Sequence, residues 1–205
     1  MDACEELAHL YFRLNGFFTV PNYILHGSRS QKGEIDLLAV RFPHKQEEVG
    51  GCPLHDDPAL DLRADKLEMI LAEVKRREED FNESRELKWT MEYVLRFAGF
   101  FGDEECLAQA SSRLAEAETY EDERIRIRRM LCTGAETITE DANHRKLRGM
   151  LAFIVGRFRK HRRHKADHEQ WTGTLADYIY RNRAQIDFGN LEQRYLEYKR
   201  KRPCV

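Results

Sequence analysis

Asp36, Glu73 and Lys75 are the residues of this chain best placed to do chemistry. Asp36 stands in Gly33-Glu34-Ile35-Asp36-Leu37-Leu38-Ala39-Val40 and the other two in Leu71-Ala72-Glu73-Val74-Lys75. Both are apolar runs of strand type interrupted by charges. Side chains alternate along a strand, so Glu34 and Asp36 are expected on one face with Ile35 and Leu37 on the other, while Glu73 and Lys75 share a face. If the two strands pair, three or four ionisable groups meet beside an apolar layer. Buried charges are costly unless they pair or hold a metal. The cluster therefore points to a divalent-cation site with a lysine beside it.

Other short elements surround these runs in a fixed order: Glu5-Glu6-Leu7-Ala8, Gly16-Phe17, Asn22, Gly33-Glu34-Ile35-Asp36 and Glu73-Val74-Lys75-Arg76. This set resembles the PD-(D/E)xK nuclease superfamily, the fold of restriction endonucleases and Holliday-junction resolvases. Within it, the chain looks most like the small YraN-type bacterial proteins, over residues 1–80. A Glu-x-Lys triplet alone carries little, whereas five elements in order with the acids on strands carry the resemblance. It implies an α/β protein with a restriction-endonuclease-like core, α-β-β-β-α-β, whose mixed central sheet is flanked by helices. It also implies a Mg²⁺-dependent (or Mn²⁺-dependent) nuclease acting on DNA, in repair, recombination or defence. The implied catalytic set is Asp36, Glu73, Lys75 and Glu5. The implied metal ligands are Asp36, Glu73 and the Val74 backbone carbonyl, with Glu5 reaching the metal directly or through water. Inert members of such families usually lose an acid or the lysine, and this chain keeps all of them. The alternative is a catalytically inert scaffold that retains the fold and binds nucleic acid or a protein.

The chemistry needs these residue types. Hydrolysis of a phosphodiester at neutral pH requires an activated water and relief for charge that builds on the phosphate. Mg²⁺ held by one or two carboxylates and several waters serves both needs. A lysine two residues beyond Glu73 would point into the same site and orient the water or neutralise the transition state. Desolvated, its pKa falls toward the range of a base.

Charge divides the chain. Residues 1–123 hold 14 Lys/Arg against 27 Asp/Glu, a net −13, and residues 124–205 hold 20 against 9, a net +11, which together give the formal −2. A nuclease must bring a polyanion to an acidic site, so a positive surface near by is expected. Arg157, Arg159, Lys160, Arg162, Arg163 and Lys165, six cations in nine residues without an acid, are the candidate phosphate contacts. Mutual attraction of the two halves, within one chain or across a homodimer, is the other reading, and a partner subunit also stays open. Arg124, Arg126 and Arg128 alternate with Ile125 and Ile127, which suits either a phosphate-contacting strand face or a charge-protected edge strand.

No run approaches the roughly 20 apolar residues of a membrane span, and the acidic start is no signal peptide. Five scattered cysteines without a Cys-x-x-Cys fit reduced thiols. A cytoplasmic protein without a membrane partner is expected. Residues 1–135 are expected to form the core, with a loop insertion at about 41–65 that is a candidate gate for the site. Residues 136–205 should form a basic helical C-terminal extension. Periodicity places helices at 4–15, 83–101, 105–118, 139–164, 175–183 and 191–199, and strands at 17–25, 34–42, 67–76 and 124–132.

Overall fold

A mixed sheet carries the candidate residues, with helices on both of its faces. The computed structural model describes residues 2–26, 32–49, 51–77, 81, 87–161 and 174–201. Helix α1 (Ala3–Leu14) leads into strands β1 (Phe18–His26) and β2 (Lys32–Arg41). A two-stranded ribbon, β3 (Glu48–Val49) with β4 (Cys52–Pro53), and a 3₁₀ turn at Pro58–Leu60 precede β5 (Leu67–Lys75). Helices α2 (Leu87–Ala98) and α3 (Glu104–Ala117) cross to β6 (Thr119–Glu121), β7 (Ile125–Thr133) and β8 (His144–Lys146). Helices α4 (Leu147–Lys160), α5 (Leu175–Asn182) and α6 (Leu191–Lys201) follow.

The strand order is β1-β2-β5-β7-β6, with β8 also on β7. β1, β2 and β5 pair antiparallel, whereas β5 and β7 run parallel. A parallel pair needs a long crossover, and α2 with α3 provides it. On one face Leu37, Ala39, Ile70, Ala72, Met130 and Cys132 pack under α1, α4, α5 and α6. On the other, Leu38, Met69, Leu71 and Ile127 pack under α2 and α3. The expected α/β class and mixed, helix-flanked sheet are thus present.

Local signals explain α1. Asp2 caps it by accepting the Cys4 and Glu5 N–H groups, and the Glu5 carboxylate returns to the Asp2 N–H, completing a capping box. Leu7, Ala8, Tyr11 and Phe12 make the buried stripe. Gly16, at φ +82°, ends the turn in the left-handed region open to glycine.

Two expectations are corrected. The helix expected from Thr139 begins at Leu147. The Asp141 carboxylate accepts the Asn143 and His144 N–H groups, a turn that competes with helix, and residues 144–146 pair with β7 instead. β7 is no edge strand, since β5 lies on one side and β6 and β8 share the other. Arg126 and Arg128 are accordingly buried. Arg128 pairs with Glu68 at 3.3 Å with both side chains fully shielded, and Arg126 reaches Glu68 at 3.7 Å and Asp61 at 3.3 Å. The insertion at 41–65 is docked on the core. Leu60 is fully buried, Asp57 accepts the Tyr11 hydroxyl at 2.7 Å, and the Asp61 carbonyl accepts Arg126. Asp61 lies at the Leu67 end of β5 with Arg126 and Glu68, while Asp57 also meets Arg145 of β8. The insertion roofs the buried ion network.

Candidate active site

The ladder between β2 and β5 ends at Leu37 opposite Ala72. One step further, Asp36 replaces a backbone acceptor: its Oδ2 accepts the Val74 N–H at 2.7 Å. The alternation of β2 breaks at the same residue. Leu37 and Ala39 pack under α1, but Ile35 packs with the α2/α3 cluster, as does Tyr23 across from it. Ile35 and Leu37 therefore do not share a face as simple alternation requires. Between them, Asp36 turns its carboxylate toward β5. Asn22 faces this break from β1, held in register by Pro21–Leu37 and Tyr23–Ile35, at φ +49°. Asparagine is one of the few residues enriched in that region.

Glu73 and Lys75 stand on either side of Val74. Lys75 Nζ lies 2.9 Å from Glu73 Oε1, and both side chains are about one-fifth exposed. The Lys75 carbonyl accepts the Gly134 N–H at 3.1 Å, which fixes the strand end against β7. Gly134 must lack a side chain there, because a Cβ would fall 2.2 Å from the Arg76 carbonyl. Glu5, held at the start of α1 by its capping bond, is near enough to act on Asp36 electrostatically.

Asp36 is held above the usual carboxylate pKa. Burial is the main cause, with repulsion from Glu73 and Glu5 adding to it, while the Val74 N–H and Lys75 pull the other way. A raised folded-state value means that protonation favours the fold. That contribution is complete below the unfolded value of 3.8 and is lost as pH rises through the folded one. Asp36→Asn keeps the acceptor for Val74 and removes the charge. Thermal melts in EDTA should show it more stable than wild type at pH 7–8, by about 2–4 °C if the gain is ~1 kcal/mol. The advantage should shrink as the pH falls through the raised Asp36 value. A variant less stable than wild type at pH 8 would contradict the assigned electrostatics.

The structure thus brings Asp36, Glu73, Lys75 and the Val74 backbone together from two strands, with Glu5 adjoining. It adds Arg129, which the residue pattern missed. Arg129 lies on β7 opposite Leu71, nearly buried, with its guanidinium 4.3 Å over the Phe81 ring. Burial lowers its pKa, and Glu118 and Glu73 oppose that. The signal was its place on the Ile125–Ile127 side of β7, the side on which β5 carries Glu73. Among the described residues, no three acidic, histidine or cysteine side chains converge as a metal-binding group.

The basic stretch divides. Arg157 is corrected from a phosphate contact to a structural clamp. It is buried, donates to the Leu14 and His55 carbonyls and lies 4.8 Å over Phe153. Arg159 and Lys160 are exposed, and Arg162, Arg163 and Lys165 fall outside the described residues. Part of the charge asymmetry is consumed within the chain. Arg126 meets Glu68 and Asp61, Arg128 meets Glu68, Arg145 meets Asp57, and Lys199 meets Glu6. No helix among the described residues is long and apolar enough to cross a membrane. Compared with family models, curated proteins and solved structures, the chain matches none.

Proposed function

We propose that this chain is a metal-dependent phosphodiester hydrolase, a nuclease acting on DNA, built on a restriction-endonuclease-like core. The observation that carries the reading is the Asp36 carboxylate seated on the Val74 N–H, between Glu73 and Lys75. The strand order, with α1 ahead of three antiparallel strands and a helical crossover to a parallel fourth, supports it.

The donors suit Mg²⁺. Asp36, Glu73 and the Val74 carbonyl are hard oxygen ligands, and Mg²⁺ commonly takes only one or two carboxylates, keeping waters or phosphate oxygens elsewhere. Two carboxylates therefore suffice without a third acid. Burial chiefly, with the neighbouring Glu73 and Glu5 carboxylates, holds the Asp36 pKa up, and positive charge bound there would offset both. A bound dication supplies that charge and acidifies a coordinated water. The chain's own residues do the rest. Asp36 and Glu73 would present their oxygens to the metal, Asp36 being fixed by the Val74 N–H, and Lys75 sets positive charge opposite the phosphate. Arg129, on the next strand, interacts with Glu73 electrostatically. Lys75 exchanges its bond to Glu73 for one to the substrate phosphate, so that it relieves charge at the reacting group.

The Glu73–Lys75 contact favours a second reading, an inert scaffold whose acids and lysine form a structural ion pair. Calorimetric titration of Mg²⁺ or Mn²⁺ with a short duplex present separates the two. Wild type should bind with millimolar or tighter affinity, and Asp36→Ala with Glu73→Ala should abolish that binding. Metal binding that survives both substitutions, or is absent with DNA present, would leave the scaffold reading.

A further inference from the structure

Near the C-terminal ends of α4 and α5, Arg159, Arg181, Arg183 and Ala184 line a cleft of about 330 Å³. Each arginine is anchored. Arg159 Nε and Nη2 donate to the Arg183 carbonyl at 2.9 and 2.6 Å. Arg183 donates to the Tyr180 carbonyl and stacks 4.3 Å over its ring. Arg181 Nε bonds the nearly buried Asp177 carboxylate at 2.6 Å. Part of this is ordinary capping, because cations suit a helix C-terminus. A guanidinium has five N–H donors, however, and the anchoring bonds use fewer. Among the described residues, three positive groups share one opening with a single shielded carboxylate behind them. Rigid guanidinium forks match phosphate oxygens in shape and charge.

We propose that this cleft binds the phosphates of a nucleic-acid backbone. The phosphate chemistry stands on the cleft alone, and the choice of nucleic acid rests on the nuclease reading above. Its position agrees with that choice. Arg183 and Phe188 are five steps apart along the chain, at most ~18 Å. The Phe188 ring lies 3.5 Å from where a Cβ on Gly134 would stand, and Gly134 bonds the Lys75 carbonyl. Cleft and candidate site therefore sit within reach of one nucleic-acid strand, about five phosphates at the ~3.4 Å spacing of a duplex strand. Such contacts position the strand without reading its bases. Of the three arginines, only Arg159 belongs to the basic run of the sequence. The other two reach the cleft from α5.

The test is fluorescence anisotropy of a labelled single-stranded 20-mer deoxyoligonucleotide with the full chain in EDTA, across a salt series. Arg181→Gln/Arg183→Gln should weaken binding about 25-fold at 0.1 M salt and make the log–log salt slope shallower by about 1.4, at ~0.7 per phosphate contact. Arg183→Gln alone should give about half of each change on a logarithmic scale. It also serves if removing Arg181 from Asp177 unfolds the double variant. Unchanged affinity and slope in a folded variant overturns the proposal. Inorganic tripolyphosphate is the control for source. If it binds wild type as tightly as the 20-mer does, the ligand is a free polyphosphate and the nucleic-acid assignment falls. Cleavage assays separate the two readings. A chain that binds through these arginines and never cleaves keeps the cleft and loses the nuclease. A chain that cleaves with variant-insensitive binding does the reverse.

Discussion

Asp36→Asn should reduce Mg²⁺-dependent cleavage of branched, flapped or single-stranded DNA by at least 10²–10³-fold, the cost of removing one preorganised electrostatic group. Oligonucleotide affinity measured in EDTA should change less than about 3-fold, because the carboxylate acts on the reacting group rather than on the backbone at large. Lys75→Met should lose a similar factor, 10²–10⁴ if the lysine moves a proton. The substitution is nearly isosteric and Asp36 is only partly buried, so the folded state is preserved. The stability gain expected for Asp36→Asn sharpens the comparison. A variant that melts higher and cleaves less separates catalysis from folding, the trade-off of functional sites that store unfavourable charge. Equal cleavage by wild type and variant on every substrate would sink the enzyme reading.

The largest effect on stability should come from the far end of β5. Glu68 and Arg128 are both fully buried, 3.3 Å apart, and Glu68 also accepts the Arg63 N–H at 2.8 Å. Breaking such a pair leaves an uncompensated charge in the interior, at about 3–5 kcal/mol. Arg128→Met should therefore lower the melting temperature by roughly 6–20 °C in a chain of this size. Glu68→Leu should do the same, since it strands Arg128 and deprives Arg126 of a partner. The double substitution should cost well under the sum, because each change removes the charge that the other would leave unpaired. A loss under 2 °C for Arg128→Met, measured by calorimetry, would show that the pair does not support the fold. The insertion at 41–65 belongs to the same unit. Its Asp61 holds Arg126, and its Leu60 joins the core.

Much of this protein was legible residue by residue. The capping box at Asp2 and Glu5, the stripe Leu7–Tyr11–Phe12 and Gly16 specify α1 within a dozen positions. Caps, helical period and left-handed glycine all act over one or two turns. The two charged strands were legible for the same reason, and with them the meeting of Asp36, Glu73 and Lys75. The alternation that located Asp36, however, mispredicted its neighbours. A period of two says nothing of where a strand rotates, and the break between Ile35 and Leu37 depends on the packing of β1 and β5 on either side.

Tertiary structure decided what each charge is for. Arg126 and Arg128 read as surface cations until β5 brings Glu68 beside them. Arg157 stands in a run of six cations, yet it is buried because α1 and the insertion present carbonyls to it. Arg129 and the Arg159–Arg181–Arg183 cleft combine residues from different elements, so no local spacing announces them. Solvation explains the division. Backbone preference is set by near neighbours in the chain, whereas the free energy of a charge is set by the groups that replace its water, and those arrive from anywhere in the sequence.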